Sequence, residues 1–306
     1  MVEQAPAWAA PLALGLLLAL CVAAATFDAA LAAGRGLAGA LRVPWQEAAR
    51  LVVQQRRTTV ANDPLLWRTG GVSLLVVAAL MVAVVPWGDW TLLDSAVGVV
   101  WFNAMDVLLW AAVWITGWGA NSAWPLVGAH RFLAQALSYE LLLMFALISP
   151  ALGAGSLRLA DVQAEQAGLW FVVTMPVAFV VFCVCVLAFS LWGPFAAPIG
   201  ADLGGGVLAE SSGVDRLLVL LGRYALLVAG AAFAVPLFLG GGEGPLLPAV
   251  LWSVVKTVLV LGLLVACRRR FALLRPERFA ELAWVVGIPL VLLQILVVSL
   301  LVLGRS

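Results

Sequence analysis

Residues 215–239 read DRLLVLLGRYALLVAGAAFAVPLFL. Apart from Asp215 and Arg216 at its start, the run carries one charge, Arg223. A helix rises about 1.5 Å per residue and the hydrocarbon layer of a bilayer is about 30 Å thick, so the run is long enough to cross a membrane. Similar runs lie near 7–30, 71–88, 97–117, 131–152, 169–192, 247–267 and 284–303. Each is predicted to be helical, because lipid cannot satisfy exposed backbone groups and no strand-like alternation is present. The expected fold is an all-α integral membrane protein, one polytopic domain over 1–306 with eight transmembrane helices. The first run, with Glu3 where a signal peptide carries basic residues and with length enough to span, is expected to be a span and not a cleaved leader.

Composition agrees. Hydrophobic residues make up 64% of the chain and charged residues 11%, with mean hydropathy +1.10, whereas a soluble domain carries about 25% charge. Disorder, a disulfide scaffold and a water-soluble enzyme are excluded. The net charge of +1 implies no attraction to nucleic acid. The cysteines Cys21, Cys183, Cys185 and Cys267 fall in or at the ends of apolar runs, and there is one histidine. No metal site is expected from them.

Basic residues set the orientation. Arg35, Arg42, Arg50, Arg56, Arg57, Arg68, Arg131, Arg216, Arg268, Arg269, Arg270, Arg275 and Arg278 follow the odd-numbered spans, against Arg158 and Arg305 on the other side. The positive-inside rule puts the first group in the cytoplasm and both termini outside. Residues 43–57, VPWQEAARLVVQQRR, read as an amphipathic helix with Trp45, Ala49, Val52 and Val53 on one side, and Pro44 suits its first turn. It is expected to lie along the membrane interface, the alternative being a solvated surface helix. The glycine- and proline-rich segment 193–214 is expected to be a flexible functional cytoplasmic loop.

Ionisable groups at membrane depth are costly. Asp106, Glu140, Arg223 and Lys256 fall inside spans. They could neutralise one another as static pairs or form a chain of proton sites. Arg131, Gln135 and Ser138 share one helical face just before Glu140. Walker A, dinucleotide-binding, HExxH and GxSxG motifs are absent from the sequence, so no self-contained catalytic machinery and no catalytic residue is expected.

Residues 117–140, GWGANSAWPLVGAHRFLAQALSYE, are more specific. The pattern G-W-x-x-N-S followed by G-A-x-R-x-x-A-Q-x-x-S-Y-E resembles the membrane subunit that joins the peripheral and membrane arms of respiratory complex I, the H subunit of the bacterial enzyme. It also resembles the equivalent anchor of group 4 membrane-bound hydrogenases. Asp94 and Gly98, Pro194-Phe195, Asp202-Leu203, Glu210-Ser211-Ser212-Gly213, Lys256-Thr257, Arg268, Arg275 and Trp284 fit further family positions in order. The chain departs from the pattern after its first span, in the acids of the loop after span five, and at Arg223 before Tyr224, where the complex I branch is acidic. Pro44-Trp45-Gln46-Glu47 looks more like the hydrogenase branch.

The resemblance implies a connecting subunit in a prokaryotic cell membrane that couples electron transfer, expected to reach quinone, to proton or sodium translocation. It implies a proton relay at Glu140, Asp106, Lys256, Asp94 and Arg223, and a quinone and coupling region at Asp202, Glu210, Glu47, Arg50 and Arg216. Docking is implied for Arg131, Gln135, Arg268 and Arg275. The implied partners are the peripheral large subunit, an iron–sulfur subunit and antiporter-like membrane subunits. No cofactor is expected to be bound covalently, and iron–sulfur or nickel–iron centres would lie only on partner subunits. Quinone, if used, would approach beside helix 43–57, below spans one and six. The alternatives are a hydrogenase or formate-linked anchor without quinone and a free-standing secondary transporter, though no internal repeat of the transporter kind is visible. Arg223 is expected to be held by Glu140 or Asp106, or else to snorkel to the interface.

Overall fold

A computed structural model describes residues 2–33 and 36–304, so Arg35 and Arg305 of the charge argument lie outside the described residues. The main helices are α1 (Ala10–Ala33), α2 (Val43–Val53), α3 (Pro64–Ala83), α4 (Gly98–Gly119) and α5 (Ala123–Ala154). They continue as α6 (Pro176–Phe189), α7 (Gly213–Phe238), α8 (Ala249–Arg270) and α9 (Pro276–Leu303). Seven of these, all but α2 and α6, are long and apolar enough to cross a membrane. The chain is an all-α, multi-pass membrane protein.

Helix α7 forms the centre, packing against α1, α2, α3, α6 and α8. Its run of small residues, Ala229, Gly230, Ala231, Ala232 and Ala234, is buried and lets neighbouring helices approach closely. Phe233 fills the space beyond them and stacks on Phe102 of α4 with ring centroids 3.9 Å apart. Helix α9 contacts α5 and α6 and leaves most of its surface exposed, as a lipid-facing helix does.

The predicted fifth span, 169–192, is the main departure. It is broken into a single turn, Phe171–Thr174, a non-helical Met175 (φ −129°, ψ 52°) and α6, which at 14 residues is about 21 Å long. Pro176 is the cause, since it disfavours a helical residue before it and supplies no N–H. Gln294 of α9 repairs the break, accepting from the Val177 N–H at 3.2 Å and donating to the Thr174 carbonyl at 3.3 Å.

Other boundaries move for identifiable reasons. Helix α5 begins at Ala123, ahead of the predicted residue 131, because Arg131 is half-buried and ion-paired and does not mark a membrane edge. Helix α2 ends at Val53, not at 57, with Gln54 extended. Its fully buried residue is Leu51, while Val52 and Val53 remain exposed. Two short strands, absent from the sequence reading, join Glu3–Gln4 in parallel to Trp90–Thr91.

The segment 193–214 is not the flexible loop its composition suggests. It winds through 3-10 turns at Gly193–Phe195, Ala197–Ile199, Ala201–Leu203 and Gly206–Leu208, burying Phe195, Pro198, Leu203, Val207 and Leu208. Its glycines permit close packing. A Cβ on Gly128 of α5 would meet the Pro198 carbonyl at 2.6 Å, and Gly206 takes a left-handed φ of 52° against the same residue.

Candidate functional site

A cavity of about 600 Å³ lies between α1, α2 and α7, within the range of natural ligand pockets. Leu18, Cys21, Val22 and Ala25 recur at helical spacing and present one face of α1 to it, while Val43, Pro44, Ala48 and Leu51 of α2 and Leu217, Leu220 and Leu221 of α7 complete an apolar wall. Polar groups gather among Asp28, Trp192, Arg223, Tyr224 and Arg268, with Glu47 on α2.

These groups are tied together. Asp28 accepts from Arg268 Nη1 at 2.6 Å and from Arg269 Nη2 at 3.0 Å. The Arg223 and Arg268 guanidinium carbons lie 5.4 and 5.1 Å from the Trp192 ring centroid. Tyr224 adds a second ring 5.0 Å from that of Trp192. The expected pairing of Arg223 with Glu140 or Asp106 is not what forms. Arg223 Nη2 donates to the Leu191 carbonyl at 2.5 Å, and the side chain is neither snorkelled into water nor, among the described residues, within salt-bridge distance of a carboxylate.

The four intramembrane charges thus avoid mutual pairing. The acids meet each other: Asp106 is fully buried, accepts from Tyr139 Oη at 3.2 Å and Trp110 Nε1 at 3.3 Å, and lies against Glu140. Glu140 Oε1 accepts from Asn103 Nδ2 at 2.9 Å, and its buried Oε2 has no partner among the described residues. The bases instead bond to backbone. Lys256 Nζ donates to the carbonyls of Leu239, Gly241 and Glu243 at 2.6, 2.9 and 2.7 Å and lies 4.2 Å from the Trp170 ring centroid.

The remaining candidates are spread out. Asp94 takes a two-pronged contact from Arg158, one prong 2.8 Å long, which holds its carboxyl below the usual range. Glu47 is likewise lowered by its hydrogen bond from Arg50. Glu210 accepts from Ser122 at 2.9 Å, and Arg216 donates to the Leu208 carbonyl at 3.3 Å. Gln135, expected to dock a partner, is buried and spends its amide on the Ala188 and Phe195 carbonyls at 2.8 and 3.1 Å. It braces the start of the 193–214 segment. Arg268, also expected to dock, faces inward onto Asp28. Arg275 is left beside Arg131, Asp202 and Glu277 around a surface pocket of about 410 Å³.

Arg131 pins the segment through Asp202 at 2.6 Å, and this hydrogen bond lowers the Asp202 pKa. A depressed carboxylate contributes its stabilisation above its unfolded value and loses it as pH falls through the folded value. The clasp is therefore expected to be constant near neutrality and to release only below pH of about 4. Asp202→Asn should speed amide hydrogen exchange across 197–208 at pH 7, and an unchanged exchange rate would show the clasp to be dispensable.

Two important residues escaped the sequence reading. Asp28 sits near the end of an apolar run, where a charge is ordinary; its signal was a lone acid on the small-residue face of α1. Trp192 had none, because tryptophans at span ends are common anchors.

Comparison with known proteins bears on these sites. A family model described as NADH dehydrogenase matches residues 29–299. The chain is 34% identical over 265 residues to an H subunit of NADH-quinone oxidoreductase from Geobacter sulfurreducens, covering 83% of this chain and 80% of the relative. It is 32% identical over 273 residues to an H subunit of the same enzyme from Geobacter metallireducens, covering 86% and 83%. An H subunit of NADH-quinone oxidoreductase from Syntrophobacter fumaroxidans is 34% identical over 272 residues, covering 85% and 82%.

Proposed function

The chain belongs to the NADH dehydrogenase family, and from that premise we propose that it is the connecting membrane subunit of a complex I-like, quinone-linked oxidoreductase. It sits in a prokaryotic cell membrane with both termini outside. Peripheral subunits carrying the redox centres dock on its cytoplasmic segments, and antiporter-like subunits pack beside it in the membrane.

The observation that carries this reading is the cavity. Its wall is apolar, its polar groups cluster together, and it lies beside helix α2 where a quinone would leave the bilayer. A lipid-soluble substrate needs that combination. The acid pair of α4 and α5, buried Asp106 and half-buried Glu140, supplies carboxyl groups within the bundle for coupling. Purification through a tag on this chain should bring down peripheral and antiporter-like subunits together, with donor-driven reduction of decylubiquinone. A purified complex that evolves hydrogen and reduces no quinone would overturn the reading in favour of a hydrogenase anchor.

Docking divides between two arginines. Arg275→Ala should lower the ratio of peripheral subunit to this chain several-fold on purification, because its guanidinium is available to a partner carboxylate. Arg268→Ala should instead loosen the contact between α1 and α8 through Asp28. Equal retention of peripheral subunits in Arg275→Ala and wild type would remove Arg275 from the docking surface.

A further inference from the structure

The link between α7 and α8 ends in Gly244-Pro245-Leu246-Leu247-Pro248, and its strain falls on a leucine. Leu246 has a φ of 73°, and the Leu247 N–H donates to the Pro245 carbonyl at 3.0 Å. Residues 245–247 thus make a three-residue turn around a left-handed centre, the rarer and costlier form of that turn. Glycine adopts such a φ freely and leucine does not. The side chain gains nothing inside the protein in exchange, since Leu246 is 102% exposed. Strain held in place in this way points to a use. We propose that the turn is a lipid-binding wedge, whose Leu246 and Leu247 side chains enter the acyl region just below the phospholipid headgroups at the N-terminal end of α8.

The depth of the turn follows from α8. Arg268, Arg269 and Arg270 close the last turn of that helix and mark one membrane edge. A crossing takes about 20 residues, so the opposite edge of the hydrocarbon falls near Pro248. Between the two edges Leu251, Val255, Val258 and Leu259 share one exposed face of the helix, the face that acyl chains cover. Leu246 and Leu247 prolong this apolar surface past the start of α8 at Ala249. No charge interrupts the sequence from Pro245 to Val255, and Lys256 is buried.

The backbone of the turn suits an apolar medium, where irregular chain must satisfy its own polar groups. Pro245 and Pro248 have no N–H to satisfy. The Pro245 carbonyl accepts from Trp252 Nε1 at 2.9 Å as well as from Leu247, and the Pro248 carbonyl accepts from the Trp252 N–H at 3.1 Å. Earlier in the link the carbonyls of Leu239, Gly241 and Glu243 turn inward to Lys256. The polar side of the link therefore faces the protein, and its apolar side chains face out. Half-buried Trp252, tied to the turn by its indole, takes the place that interfacial tryptophans occupy at span ends.

The test uses the wild-type complex in nanodiscs of phosphatidylcholine whose acyl chain carries a diazirine, either near its carboxyl end or near its methyl end. After illumination, lipid adducts on this chain are mapped by peptide mass spectrometry. The shallow probe should label 245–248 several-fold more than the peptide holding Glu165, which is exposed on the link between α5 and α6 at the same end of the bundle. The deep probe should favour Val258 and Leu259. Labelling of 245–248 no greater than that of the Glu165 peptide would overturn the proposal. Leu246→Asn tolerates a left-handed φ but is polar. It should cut shallow labelling of Leu247 several-fold and leave deep labelling of Leu259 unchanged, and undiminished labelling of Leu247 would count against the wedge. A p-benzoylphenylalanine in place of Leu246 identifies the neighbour directly. An adduct with phospholipid supports the proposal, whereas a crosslink to another subunit replaces it with a protein contact.

Discussion

Glu140→Gln is expected to leave the complex assembled and to cut ion translocation about a hundredfold, the lower end of what a positioned proton-transfer group contributes. The side chain keeps its size, and its Oε1 can still accept from Asn103. What changes is the partner of Asp106. In the native protein the Asp106 carboxyl lies against that of Glu140, so a charge on one acts directly on the other. Replacing Glu140 by an amide leaves Asp106 as the one carboxyl of the pair, beside Tyr139 and Trp110. Any coupling that depends on moving charge onto and off the pair then stops. Proteoliposomes with an ion-sensitive dye measure translocation, and a native gel checks assembly. Full pumping by an assembled Glu140→Gln complex would remove Glu140 from the coupling path. Asn103→Ala, which loses a hydrogen bond but no titratable group, should be much milder.

The apolar spans were legible because lipid imposes a length and tolerates little else. That constraint acts on every residue of a run and so is written many times over in the sequence. Single residues decide the remainder. Pro176 announces a helix start, yet its effect on the fifth crossing depends on Gln294, more than a hundred positions away, to satisfy the broken backbone. The position of the cavity was foreseen beside α2, below spans one and six, from the family resemblance. Its polar end was not, because Asp28, Trp192 and Arg223 come from three separate segments. The glycines of 204–206 bring freedom that must be lost on ordering, and so make the segment read as a flexible loop. In the fold they are what allows the segment to lie against Gly128.

The intramembrane charges show most clearly where sequence reasoning stops. Their presence at membrane depth is plain, and of the two readings open, a chain of proton sites or pairing of acid with base, the structure departs from the pairing. Two considerations defeat it. A base in an apolar bundle is also satisfied by carbonyl oxygens, which helix ends and turns provide without a second charge to desolvate. The two acids, for their part, lie together with separate donors, Asp106 accepting from Tyr139 and Trp110 and Glu140 from Asn103. Which solution is used depends on where chain ends and turns fall in space, and that is not a property of spacing along one helix.

Lys256→Met should accordingly produce a folding defect at one end of the bundle and not a specific loss of proton transfer. Three carbonyls, of Leu239, Gly241 and Glu243, converge on Nζ. They converge because the turn between α7 and α8 is sharp, with Gly240 and Gly241 at φ of 65° and 54°, values open to glycine at little cost. Without the ammonium the carbonyl dipoles face one another and lack a donor. Hydrogen bonds to a charged group contribute about 1.5–3 kcal/mol each but do not add fully, so a loss of about 3–5 kcal/mol is expected. Methionine matches the aliphatic stem and can still rest against Trp170, so the missing donor is the main change. Hydrogen exchange over 239–247 should accelerate, the melting temperature of the complex should fall, and any loss of pumping should track the loss of folded protein. Normal exchange and melting together with abolished translocation would return Lys256 to the proton path, since a carrier can be removed without disturbing the turn that surrounds it.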